Sequence, residues 1–122
     1  MLTILIVDDQ PSVLAALEQC FALEPDLSIV GYAADGNEAL ALAQQLHPDI
    51  VLTDIKMPNM NGIAATVALR AVAPEIKVVI LTVYDNPATR AQALAAGADA
   101  FVAKHDDADV LLAAIRGVVT AG

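Results

Sequence analysis

The stretch LTILIVDD, residues 2–9, joins a six-residue, mainly aliphatic run to two acidic side chains. DIVLTD, residues 49–54, and IKVVILT, residues 76–82, have a similar form, an aliphatic run that leads to a polar residue. None of these runs alternates regularly between apolar and polar residues, which is typical of strands covered on both faces. We therefore expect parallel β-strands with helices on each side.

Two further apolar runs, residues 27–32 and 100–103, bring the number of predicted strands to five. Between the strands, apolar residues recur at helical spacing, although the segment after Gly62 shows the least distinct face. Signals for helix starts, either first-turn prolines or capping residues, stand between the runs: Pro11, Asp35 with Glu38, Pro87, and Asp106 or Asp107.

Alternating strands and helices predict an α/β fold, and right-handed crossovers make it a three-layer α/β/α domain around a parallel sheet. A length of 122 residues suits one domain. We expect that domain to cover residues 1–119, with residues 120–122 as the start of a linker or a disordered tail.

Composition narrows the classes of function. A formal net charge of -9 repels nucleic acid and anionic membranes, so we expect no direct contact with either. The single cysteine, Cys20, is expected to be a packed thiol without a redox role. With no basic leader and no apolar run near the ~20 residues that span a bilayer, a cytoplasmic protein is expected.

The polar residues collect where the predicted strands end. Asp8 and Asp9 end the first run, Asp54 the third, Thr82 the fourth and Lys104 the fifth. Carboxyl ends of parallel strands share one edge of the sheet, and ligands bind in the crevice outside them. Taken singly, each residue is more simply explained as a cap, a turn residue or a surface charge. Their coincidence at one edge favours a site.

An all-oxygen cluster of three carboxylates suits a hard cation that keeps some of its waters, which indicates Mg²⁺. With Mg²⁺ and Lys104 present, the formal charges balance, so an incoming phosphoryl group meets no net repulsion. A carboxylate can then attack phosphorus to give an aspartyl phosphate. Phosphoryl transfer requires positioning and charge neutralisation more than a general base.

The set Asp8-Asp9, Asp54, Thr82 and Lys104 resembles the receiver domain of bacterial response regulators. Met57-Pro58, Gly62 and the Ala96-Gly97-Ala98 stretch also match, and the resemblance covers nearly the whole chain. It implies a flavodoxin-like (βα)5 fold with strand order 2-1-3-4-5.

The resemblance also implies roles for individual residues. Asp54 would be the phosphoacceptor. Asp9 and Asp54 would bind Mg²⁺ directly, Asp8 would bind it through water, and the backbone carbonyl of Lys56 would complete the protein's ligands.

Further roles concern the switch. Lys104 and Thr82 would hold phosphoryl oxygens, and inward movement of Thr82 would let Phe101 rotate inward. The phosphoryl donor would be a sensor histidine kinase, and a phosphorylation-dependent homodimer is possible. Such a domain is not an enzyme in the ordinary sense, because it catalyses only its own phosphorylation and dephosphorylation.

Departures from the family pattern refine the interpretation. Val83 is bulkier than its usual counterpart, and its bulk would restrict the phosphate pocket or the motion of the loop. His105 replaces a common proline, so no cis peptide bond is expected there. The lysine–nonproline junction is similar to the NarL/FixJ-type subfamily, whose members usually continue into a helix-turn-helix DNA-binding domain.

Three alternatives stay open. The chain could be a stand-alone phosphorelay receiver, or an inert pseudo-receiver that acts as a docking or dimerisation module. A turnover phosphatase with an aspartyl nucleophile ranks last, because such enzymes usually place a second Asp where this chain has Lys56.

Overall fold

The computed structural model describes residues 1–120, in which five strands alternate with five helices. The strands are β1 (Leu2–Val7), β2 (Leu27–Ala33), β3 (Ile50–Thr53), β4 (Lys77–Thr82) and β5 (Ala100–Ala103). The helices are α1 (Pro11–Ala22), α2 (Gly36–Leu46), α3 (Gly62–Val72), α4 (Pro87–Ala95) and α5 (Ala108–Thr120). Thr120 therefore ends α5, and the rest of the predicted linker, 121–122, lies outside the described residues.

All neighbouring strands pair in parallel, in the order β2-β1-β3-β4-β5. The predicted three-layer fold and strand order are confirmed. The β4 boundary shifts by one residue, because Thr82 pairs with Ala103 and belongs to the strand. No cis peptide bond occurs among residues 1–120, so the Lys104–His105 bond is trans.

Strand β1 shows why the aliphatic runs lack polar alternation. Ile4 and Ile6 belong to a core cluster that includes side chains of α1 and α5. Leu5 and Val7 belong to a second cluster on the other face, which includes side chains of α2, α3 and α4. All four side chains are at most 1% exposed, so apolar residues are required on both faces.

Helices α1, α2 and α4 start at the predicted signals. Pro11 and Pro87 occupy the first turns of α1 and α4, and Asp35 caps α2 by accepting the N–H of Glu38 at 2.9 Å. Asp106 has another role, because its carboxylate accepts the N–H of Ala103 and closes the turn after β5.

Helix α3 buries a face made largely of small side chains, which explains its indistinct sequence pattern. Its buried residues are Gly62, Ala65, Thr66 and Leu69. Within residues 1–120, no helix is long and apolar enough to cross a bilayer.

Helix α3 also offers a matched pair of core and surface substitutions. Leu69 is 1% exposed and Val67 is 55% exposed. We expect Leu69→Ala to lower the free energy of unfolding by about 2–5 kcal/mol, because it leaves a cavity beneath the helix. Val67→Ala should change it by less than about 0.5 kcal/mol. Urea denaturation measures both, and equal losses would contradict the described packing of α3.

Candidate functional site

The site forms where β1 and β3 end side by side. The N–H of Asp54 donates to the carbonyl of Val7 at 3.0 Å, which continues the strand pairing by one residue. This bond brings the residue after β3 next to the residues after β1. Asp8, Asp9 and Asp54 consequently present carboxylate oxygens that all lie within 4.8 Å of one another.

The three carboxylates differ in exposure. Asp8 and Asp54 are 3% and 7% exposed, whereas Asp9 is exposed. One oxygen of each buried carboxylate is held by the loop that follows it. Asp8 Oδ1 accepts the N–H of Gln10 at 2.9 Å, and Asp54 Oδ1 accepts that of Ile55 at 2.7 Å. These hydrogen bonds orient the buried side chains and leave Asp9 facing solvent.

Lys104 bridges the other two oxygens. Its Nζ lies 3.0 Å from Asp8 Oδ2 and 2.9 Å from Asp54 Oδ2, and its side chain is 12% exposed. The backbone N–H of Lys104 donates to the carbonyl of Thr82, which continues the β4–β5 pairing and places the lysine at the same sheet edge. An ammonium group therefore separates the two buried carboxylates.

Two opposing effects act on the pKa of Lys104. Burial alone would lower the pKa of the ammonium, but hydrogen bonds and charges from Asp54 and Asp8 outweigh burial and raise it. A raised lysine pKa stabilises the fold at pH values below the ordinary lysine pKa. That contribution is lost only as the pH rises through the raised value.

Thr82 lies at the end of the neighbouring strand and is fully buried. Its hydroxyl oxygen accepts the N–H of Tyr84 at 3.2 Å. The structure thus places Thr82 at the predicted edge, but its hydrogen bond is to the loop after β4. Val83 is 62% exposed, so its side chain does not fill the pocket.

The other predicted residues surround this centre. Lys56 is exposed in the loop after β3, and its Nζ lies 5.7 Å from the centroid of the Tyr84 ring. Phe101 is partly buried against the core cluster on the α2–α3–α4 side of the sheet. The guanidinium carbon of Arg90 lies 4.7 Å from its ring centroid.

Arg90 could not be recognised from the sequence as a neighbour of Phe101, the predicted switch residue. Besides covering Phe101, it forms an ion pair with Asp85 at 3.0 Å, in the loop between β4 and α4. Its position depends on how α4 packs against β5. A single Arg in a helix of mixed composition carries no signal of that packing.

Cys20 lies outside this centre. It lines a mainly apolar pocket of about 290 Å³ between α1 and α5, whose lining also includes Lys104 and Asp106. Burial and the charges of Glu24 and Asp109 raise the pKa of its thiol, which disfavours the reactive thiolate.

The acidic cluster is suited to a hard divalent cation. Its three side chains supply only oxygen ligands, and together with Lys104 they leave two formal negative charges. The exposed Asp9 gives an ion access to the buried pair. Asp8, Asp9 and Asp54 are therefore a candidate metal centre.

Comparison with known proteins agrees with this geometry. The transcriptional regulatory protein LnrK of Bacillus subtilis is 37% identical over 122 residues, which cover 100% of this chain and 56% of LnrK. The nitrate/nitrite response regulator protein NarL of Escherichia coli is 34% identical over 93% of this chain and 53% of its own length. The chain thus spans about half the length of these curated relatives.

Solved structures match the whole fold. A two-component response regulator of the LuxR family from Aurantimonas sp. SI85-9A1 has a TM-score of 0.95 and 31% identity, with coverage of 99% of this chain and 86% of that one. CheY from Borrelia burgdorferi, solved with CheX, BeF3 and Mg²⁺, has a TM-score of 0.90 and 29% identity. The match covers 97% of this chain and 89% of that one.

The family assignment rests on a match over most of the chain. The family model described as response regulator receiver domain matches residues 4–116, a range that includes all three clustered carboxylates and Lys104. The matches reported above include a regulator of the NarL type and a solved regulator of the LuxR family. This chain belongs to the response regulator receiver domain family.

Proposed function

We propose that this domain accepts a phosphoryl group on Asp54 in the presence of Mg²⁺ and changes shape in response. The observation that carries the proposal is the clustering of Asp8, Asp9 and Asp54 within 4.8 Å, with Lys104 bonded to the two buried members. A related CheY binds Mg²⁺ together with the phosphoryl mimic BeF3, which supports the same chemistry here.

Each residue would have a distinct task in that reaction. Asp9 and Asp54 would bind Mg²⁺ directly, Asp8 through water, and Lys56 through its backbone carbonyl. The bound ion would offset the remaining negative charge of the cluster. A carboxylate oxygen of Asp54 would attack the phosphorus atom, and the bond to the donor's leaving group would break, with no proton to be removed from the nucleophile.

The contacts of Lys104 and Thr82 would then be exchanged. The ammonium group, now shared between Asp8 and Asp54, would turn to an oxygen of the new phosphoryl group. The hydroxyl group of Thr82 would donate a hydrogen bond to another phosphoryl oxygen. Inward movement of Thr82 would make room for Phe101 to rotate, which would require its ring to leave Arg90.

The partners follow from the family and the relatives. A sensor histidine kinase would donate the phosphoryl group, and the domain would act in the cytoplasm. The similarity to transcriptional regulators of about twice this length suggests control of a DNA-binding helix-turn-helix domain. The receiver itself, with a net charge of -9, would not bind nucleic acid. A phosphorylation-dependent homodimer would be one output.

Labelling tests the phosphoacceptor. We expect wild-type protein with Mg²⁺ and a small acyl phosphate donor to gain one phosphoryl group, and Asp54→Asn to gain none, because an amide is not the required nucleophile. Intact-mass spectrometry measures the added mass. Asp107→Asn, which removes an exposed carboxylate, is the charge-matched control and should label normally. Labelling of Asp54→Asn at the wild-type level would refute the assignment.

Removal of Lys104 tests the charge balance. Without Mg²⁺, Lys104→Met should lower the free energy of unfolding by up to about 3 kcal/mol, because two buried carboxylates lose their shared counter-charge. Added Mg²⁺ should restore more stability in this variant than in wild type, since the ion no longer competes with an ammonium group.

Urea denaturation with either EDTA or Mg²⁺ measures these differences. Lys77→Met is the matched control, because Lys77 starts β4 at the opposite end of the strand from the site. Added Mg²⁺ should raise the free energy of unfolding of Lys77→Met by no more than it does in wild type. An equal response in both variants would contradict the proposed competition at Asp8 and Asp54.

A further inference from the structure

The loop between β3 and α3, residues 54–61, is fixed at both of its ends. Ile55 donates its N–H to Asp54 Oδ1 at 2.7 Å, and its carbonyl accepts the N–H of Gly62 at 2.8 Å. Gly62 lies so close to the carbonyl of Asp54 that an added Cβ would be 1.9 Å from its oxygen. The loop thus leaves the proposed phosphoacceptor and returns to it. It also carries Lys56, whose carbonyl is a proposed metal ligand.

The far side of this loop is held by the start of α2. The N–H of Gly36 donates to the carbonyl of Met60 at 3.0 Å, and a Cβ at Gly36 would lie 2.6 Å from the Met60 side chain. Beside this contact, Asn59 Nδ2 donates to Asp35 Oδ2 at 2.7 Å. Two hydrogen bonds therefore tie the loop to an element 24 residues earlier in the chain.

Asp35 serves two structures at once. Its Oδ1 caps α2 through the N–H of Glu38, and its Oδ2 accepts from Asn59. These bonds to the charged carboxylate lower its pKa. Asn59 has φ of 66°, in the left-handed region that asparagine adopts more readily than most residues. Both side chains are therefore suited to this contact.

We propose that Asp35 and Asn59 form a clamp that positions the Lys56 carbonyl for Mg²⁺ before the ion binds. The proposal rests on the metal site proposed above. Neither residue would touch the ion, so both are positioning residues. The clamp would act by restricting the loop in the free protein, which lowers the ordering cost of binding.

The first variant breaks the clamp without straining the backbone. Asn59→Gly keeps access to positive φ and leaves the cap of α2 in place, but removes the hydrogen bond to Asp35. We expect about tenfold weaker Mg²⁺ binding by calorimetry, the lower end of the usual effect of residues that orient metal ligands. In metal-free protein, the backbone amides of Lys56, Met57, residues 59–61 and Gly36 should exchange hydrogen faster.

The second variant restores the clamp with the donor and acceptor exchanged. In the double variant Asp35→Asn with Asn59→Asp, the amide at 35 still caps α2 and donates to the carboxylate at 59, and the net charge is unchanged. Mg²⁺ affinity should return to within about twofold of wild type, and slow exchange should return to the loop. Asn59→Asp alone should not reach wild-type Mg²⁺ affinity, because the carboxylates of residues 35 and 59 would then face each other.

The outcomes separate the two proposals. Wild-type affinity and unchanged loop exchange in Asn59→Gly would overturn the clamp and leave the metal site intact. Failure of the exchanged pair to recover would also overturn the clamp. If wild-type protein bound no Mg²⁺, the proposed function and the clamp would both be refuted.

Discussion

The structure depends on the burial of two carboxylates, Asp8 and Asp54, at the edge of a parallel sheet. Buried carboxylates repel each other unless a cation lies between them, and Lys104 supplies that cation from a third strand. This arrangement requires β1, β3 and β5 to end at one edge, so the strand order and the charge balance are linked. Asp9 is the exposed member of the cluster and provides the approach from solvent.

Much of this arrangement could be predicted from the sequence, because it follows from topology. Aliphatic runs such as residues 2–7 identify strands covered on both faces, and parallel pairing brings Asp8, Asp54 and Lys104 together without knowledge of side-chain contacts. The family resemblance added the strand order and the roles of Lys56 and Phe101. The roles themselves stay predictions, since they concern a phosphorylated and metal-bound state.

The rest depended on tertiary packing that no local pattern encodes. The contact of Arg90 with Phe101 and that of Asn59 with Asp35 join segments whose distance is set by how helices dock on the sheet. The orientation of Val83 was equally open, because a residue just after a strand can face either the pocket or solvent. Asp106 illustrates the same limit, since a plausible helix cap instead closes the turn at Ala103.

The close approach of Gly62 to Asp54 joins the start of α3 to the candidate phosphoacceptor. Helix α3 begins directly against the peptide group of Asp54, with no room for even a methyl group between them. A displacement of the Asp54 backbone would therefore require the first turn of α3 to move as well.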